Sequence, residues 1–207
     1  SGWDGEVGSR ALARINKTHG NYRIPQEDFL FVLWTFIEFP LRWTAEFSWR
    51  PMTAHEQLAW FNFWSEIGRR MGLVDIPTSK PAFDAYVTKY RQQHFIPAEA
   101  SARVAEATLN IIRGWLPSPL HGFVAPAVTS LIDEPDFLAA VHLKPAPKWM
   151  QVAVKSSLKT LARVKRVYAL GRYPTLLADA PNRTYPGNRY DIDALEPAHL
   201  QRRKERV

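Results

Sequence analysis

Apolar residues crowd most densely between Phe29 and Phe39, FLFVLWTFIEF, where only Thr35 and Glu38 interrupt them. Such a stretch reads as a helix that is hydrophobic nearly all round and needs cover on every side. Pro25 suits a first turn, and Gln26, Glu27 and Asp28 follow where a helix dipole favours negative charge. The helix is expected to reach Phe47, kinked at Pro40, whose ring removes an amide donor. Ahead of it a shorter helix is predicted from Ser9 as N-cap to Gly20 in a left-handed terminal position. Within that helix Arg14, Lys17 and Thr18 share a face, because i, i+3 and i+4 adjoin.

Further along, Thr53-Ala-His-Glu56 forms a capping box that opens a helix ending at Gly72, with Leu58, Phe61, Trp64, Ile67 and Met71 as its inward stripe. A helix from about Thr78 to His94 directs Phe83, Tyr86, Val87 and Tyr90 inward, and another starts at Pro97 and runs through Val104, Thr108, Ile111 and Trp115. Two short helices are expected within Leu120–Ile132 and Asp136–Leu143. From Pro147 to Leu170 the pattern is a basic amphipathic helix stopped by Gly171, with Trp149, Val152, Leu158, Leu161, Val164 and Tyr168 near one stripe. It is either a core helix with a solvated face or a helix lying on a membrane surface. Pro, Asn, Asp and Gly dominate thereafter, with helix only near Ala194 to Lys204.

No segment alternates as a strand does, so the fold class is all-α: an irregular bundle of about seven to nine helices with a coil-rich C-terminal tail. Residues 1–172 are read as one helical domain and 173–207 as the tail. A 46% hydrophobic content over 207 residues supports a packed core. Cysteine is absent, which removes disulfides, thiolate metal sites, cysteine nucleophiles and iron–sulfur clusters. The net charge of +7 suits an anionic partner, concentrated in Lys155 to Arg172 and in the final QRRKER. No zinc-finger, RNA-recognition or phosphate-loop signature accompanies it, so no nucleic acid is expected. The first residue is not Met, and the chain is read as starting downstream of a missing N-terminal segment.

Hydrolase chemistry finds no support, since there is neither a nucleophile elbow nor a zinc-binding His-Glu-x-x-His. Of the six scattered histidines, His19 stands out because it sits beside the polar trio and just ahead of the aromatic helix. A neutral imidazole there suits ligation of haem iron or the positioning of a bound oxygen species. Arg14 suits a propionate or an oxygen-derived anion, with Lys17 and Thr18 beside it; the alternative is that Arg14 pairs with Glu27, Asp28 or Glu38. Phe29, Leu33, Trp34, Phe36 and Ile37 would wall an apolar pocket, or simply form the central helix of the core. Arg42 and Arg50, flanking Trp43 and Trp49, suit stacking on indole faces.

The blocks ARINKTHGNYRI, EDFLFVLWTFIEFPLRW, WRPMTAHEQLAWFNFWSEIGRRMGL, HFIPAEASARVAEATLN and NRTYPGNRYDI, in that order, resemble the catalytic domain shared by MpaB-type oxygenases and latex-clearing rubber oxygenases. The resemblance to the MpaB-type branch spans roughly Arg10 to Asp191 and is weaker toward the rubber oxygenases, where Arg-x-x-Lys-Thr is the main match. It implies an all-α oxygenase that cleaves a C=C bond of a hydrophobic, isoprenoid substrate with dioxygen, using haem b. It also implies that Arg14, Lys17 and Thr18 correspond to the family's arginine, distal lysine and threonine.

The same resemblance places the axial histidine of the latex-clearing members near Leu33 or Trp34, where no histidine stands. Either His19 takes over that role, or this branch binds its cofactor differently or not at all. The family's acidic base is expected upstream of Ser1, as is an N-terminal segment that would carry a membrane association. The reading that competes with an oxygenase is a non-enzymatic protein binding lipid or a membrane surface.

Overall fold

A computed structural model describes residues 2–168, 185, 187 and 190–195, and among these it contains eight α-helices and no strand. They are α1 (Glu6–His19), α2 (Gln26–Phe47), α3 (Ala54–Arg70), α4 (Lys80–His94), α5 (Glu99–Arg113), α6 (His121–Thr129), α7 (Pro135–Ala140) and α8 (Lys148–Val167). Short 3-10 turns occur at Ser118–Leu120 and Ile192–Ala194. The all-α expectation is met. Gly171 and most of the helix expected near Ala194 to Lys204 lie outside the described residues.

Local rules explain most helix ends. The capping box forms as predicted, with the Thr53 amide donating to Glu56 at 2.8 Å and the Glu56 amide to the Thr53 hydroxyl at 3.3 Å. Gly72 follows α3 with a φ of 85°, a left-handed conformation that glycine adopts without side-chain strain. Two expectations for α1 fail. Its N-cap is Gly5, and Ser9 lies inside the helix with its hydroxyl donating to the carbonyls of Gly5 and Glu6, so the helix gains a turn. Gly20 keeps a right-handed φ of −61°, its amide bonded to Asn16. Ser79, whose hydroxyl accepts the Ala82 amide, starts α4 slightly later than expected.

The chain divides into two compact units. The first holds Ser1–Ile37, Leu58–Ile76 and Ala169–Val207. Its core is built from Leu12 of α1, Leu30, Leu33 and Ile37 of α2, Phe61 of α3, and Leu73. Asn16 donates its side-chain amide to the Arg70 carbonyl at 3.1 Å, satisfying one of the acceptors left open at the end of α3. Trp3 packs on Phe63 and carries the Arg70 guanidinium over its ring at 5.4 Å. Arg70 also bridges Asp4 and Glu66, and Arg69 pairs with Glu66.

The second unit holds Glu38–Gln57 and Pro77–Tyr168, with Phe83 and Val87 of α4, Leu109 of α5, Val124 of α6 and Leu138 of α7 buried. Here α6 packs against both α5 and α8. Ion pairs Arg42–Glu134, Arg91–Asp136 and Lys155–Asp133 tie its helices and loops together. Arg50 stacks on Trp49 at 5.0 Å as expected, whereas Arg42 lies over Phe39 at 5.7 Å and not over an indole.

Three burial patterns depart from the periodicity. Helix α2 is not covered on every side, since Val32, Phe36 and Phe39 are exposed among the described residues. In α3 the innermost positions are Phe61, Ser65 and Gly68, while Leu58 is exposed. In α8 the line expected to face a core, including Trp149, Val152, Val164 and Tyr168, is turned outward, and only Ala162 is fully buried. Spacing identifies a face but not what meets it.

Candidate functional site

Helix α1 carries the polar trio, and the fold treats its members differently. Arg14 is buried, and its Nε donates to the Leu195 carbonyl at 2.5 Å. One turn earlier Arg10 pairs with Asp193 at 2.5 Å, so this edge of α1 receives the turn Ile192–Ala194. The carboxylate of Asp191 accepts the Asp193 amide and shapes that turn. Nothing in the local sequence signals this contact across 181 positions. Lys17 is exposed and Thr18 half-buried.

His19 closes α1 half-buried, with its ring edge-on to Phe29 of α2 at 5.1 Å. Its Nδ1 is fully enclosed and has no hydrogen-bond partner. An enclosed polar atom left unmatched costs about 1–3 kcal/mol. On α3 of the same unit Trp64 Nε1 and Ser65 Oγ share this condition. The sequence pattern assigned Trp64 to core packing and Ser65 to nothing. The available signal was that Ser65 is a small hydroxyl within the aromatic run WFNFWSEIG.

Of the predicted pocket wall, Leu33 and Ile37 are buried in the core of the first unit, with Ile37 at 0% exposure. Leu33 turns its methyls onto Gly68 of α3, so closely that a Cβ at Gly68 would lie 2.7 Å from one of them. Phe36 stacks on Trp64 at 4.6 Å with an interplanar angle of 11°, leaving part of its ring exposed. Trp34 is half-buried against Phe31 at 6.2 Å. The structure thus joins His19 to Phe29, and Leu33 and Phe36 to α3, while Arg14 goes to the turn preceding Leu195.

Glu38, one of the acids considered for Arg14, is held by Lys80 instead at 2.5 Å. Among the described residues no group of three or more His, Asp or Glu side chains is placed to hold a metal ion. A metal bound at His19 would therefore need to bring its own donors, as iron does within a porphyrin.

Known proteins give this geometry a context. The chain is 24% identical over 205 residues to ER-bound oxygenase mpaB' of Penicillium brevicompactum, covering 89% of this chain and 48% of that protein. It is 24% identical over 127 residues to ER-bound oxygenase mpaB of Penicillium roqueforti (strain FM164), covering 54% of this chain and 43% of that protein. The chain thus spans about half the length of the curated relatives it matches. No solved structure gives a significant match. Residues 4–180 match the catalytic domain described as ER-bound oxygenase mpaB/B'/Rubber oxygenase, and the chain belongs to that family.

Proposed function

We propose that this chain is the catalytic part of an oxygenase acting on a hydrophobic, isoprenoid substrate. The reaction is oxidative cleavage of a C=C bond: one dioxygen is consumed, each alkene carbon takes one oxygen atom, and two carbonyl products leave. Family membership supports the oxygenase class. The observation that carries the site is the enclosed, partnerless Nδ1 of His19 on the edge of Phe29.

A histidine imidazole suits a b-type haem, which His19 would hold, while Arg14, Lys17 and Thr18 provide cationic and hydroxyl groups on the same helix. Bound haem supplies the activation of dioxygen, and the protein supplies position and dryness. Phe29, Trp34 and Phe36 offer aromatic surface to substrate and cofactor. Leu33 and Ile37, which lie between Phe29 and Trp34 around α2, act as packed core that fixes where those rings stand. Lys17 and Thr18 donate hydrogen bonds at the polar end, and Arg14 holds positive charge there.

Reconstitution with haem tests this directly. The expected result is a Soret band that is lost or shifted in His19→Ala, together with dioxygen uptake on a terpenoid alkene that falls in Arg14→Ala and Thr18→Ala. A protein that stays colourless after reconstitution overturns the haem assignment. Unchanged uptake in both α1 variants returns Arg14 and Thr18 to a packing role.

A further inference from the structure

We propose that the outward face of α8 is a docking surface for an anionic lipid bilayer, with the helix lying in the plane of the headgroups. This is independent of the oxygenase chemistry and involves other residues. Helix α8 buries Ala162 and half-buries Gln151, Val154, Lys155 and Leu158, which fall on one side at 100° per residue. On the other side Trp149, Val152 and Val167 are 68%, 66% and 74% exposed. Ala153 and Val164 lie beside Trp149 and Val167, on the edge away from Val152, and are exposed too. An indole with branched aliphatic side chains at each end of this open side, separated by Ser156, Thr160 and Arg163, leaves apolar surface that water solvates poorly.

Charge identifies the occupant. The sequence KWMQVAVKSSLKTLARVKRV contains six basic residues and no acidic one. Lys155 is paired with Asp133 and Lys159 with Glu46, but Lys148, Arg163, Lys165 and Arg166 have no acidic partner among the described residues. Exposed apolar side chains with the uncompensated cations Lys148, Arg163 and Arg166 beside them match a surface whose phosphates and serine carboxylates lie above acyl chains. Tryptophan favours that depth. A nucleic acid would take the cations and leave Val152 and Val167 in water. A groove that wraps a whole helix is unsuited, because α8 is already packed on α6 along its inner side. No span is implied, since no described helix is long and apolar enough to cross a membrane.

Sedimentation of the whole chain with vesicles decides the matter. Binding is expected to phosphatidylcholine vesicles containing about one-third phosphatidylserine, about tenfold or more weaker to phosphatidylcholine alone, and reversed by about 0.5 M salt. Val152→Glu with Val167→Glu should abolish it, and Lys148→Glu with Arg163→Glu and Arg166→Glu should weaken it about tenfold or more. Circular dichroism checks that the variants stay helical, and the salt titration of the unaltered chain stands without them. Binding that ignores phosphatidylserine, or that survives Val152→Glu with Val167→Glu, overturns the proposal. So does self-association abolished by those two changes in a chain that ignores vesicles, which would assign the face to a second copy.

Discussion

The indole N–H of Trp60 donates to the backbone carbonyl of Phe36 at 3.1 Å. In an unbroken helix that carbonyl would accept the amide of residue 40, but residue 40 is proline and has none. The same stretch of α3 also stacks Trp64 on the Phe36 ring. Trp60→Phe is therefore expected to destabilise the fold by about 1 kcal/mol in chemical denaturation. In a Pro40→Ala background, where the helix supplies its own donor, the same change should cost measurably less. Equal costs in both backgrounds would show that the indole is not replacing the missing amide.

Gly68 is glycine because α2 approaches it closely. A Cβ there would lie 2.7 Å from Leu33 and 2.9 Å from Ile76. Gly68→Val should cost about 1–3 kcal/mol despite the general gain from replacing a helical glycine. Leu33→Ala should relieve part of that cost, so that thermal denaturation finds the double variant more stable than the sum of the single effects.

Acid stability should depend on Glu56. The Arg50 guanidinium holds its carboxylate at 2.6 and 2.7 Å, and the Thr53 amide adds a further bond. Together they pull its pKa from 4.5 to about 2. A pKa depressed on folding means that the contribution is complete above the unfolded value and fades as pH falls through the folded one. Glu56→Gln should flatten the stability profile between about pH 5 and pH 2. Thr53→Ala, which removes the cap itself, should cost about 1 kcal/mol at neutral pH.

Lys80 sits between Glu38 at 2.5 Å and Asp84 at 2.7 Å. Burial lowers its pKa, but hydrogen bonds to Asp84 and Glu38 outweigh that and leave it raised. The raised value stabilises the fold below the ordinary lysine range and is lost only as pH climbs through the folded pKa. Lys80→Ala leaves the largely enclosed Glu38 without its cation and should destabilise by about 1–3 kcal/mol. Adding Glu38→Gln should recover much of the loss.

Helix existence was legible along the whole described chain because each start and stop is a local event. Thr53 with Glu56 announces α3 and Gly72 closes it, and α4 was placed to within a residue or two of its Ser79 cap. The start of α1 was misplaced because Ser9 can cap a helix or bond back to its own preceding carbonyls, and Gly5 permits the earlier start. At the candidate site the pattern picked out His19 and Phe29 and left Arg14 either for an anion or for the acids Glu27, Asp28 and Glu38, of which Glu38 is held by Lys80. One acceptor that Arg14 does meet, the Leu195 carbonyl, is 181 positions away and could not be read locally.

From its sequence alone this protein is all helical, cysteine-free and basic, with caps and glycines that mark where helices begin and end. These are properties of residues within a turn or two of one another, and backbone hydrogen bonding along the chain is enough to express them. Only the tertiary structure decided that Leu33 meets α3, that Ile37 is fully buried, that Trp60 serves the carbonyl orphaned by Pro40, and that Trp149, Val152 and Val164 of α8 are turned outward. Helical periodicity defines a face, but its burial is decided by segments far away in the chain.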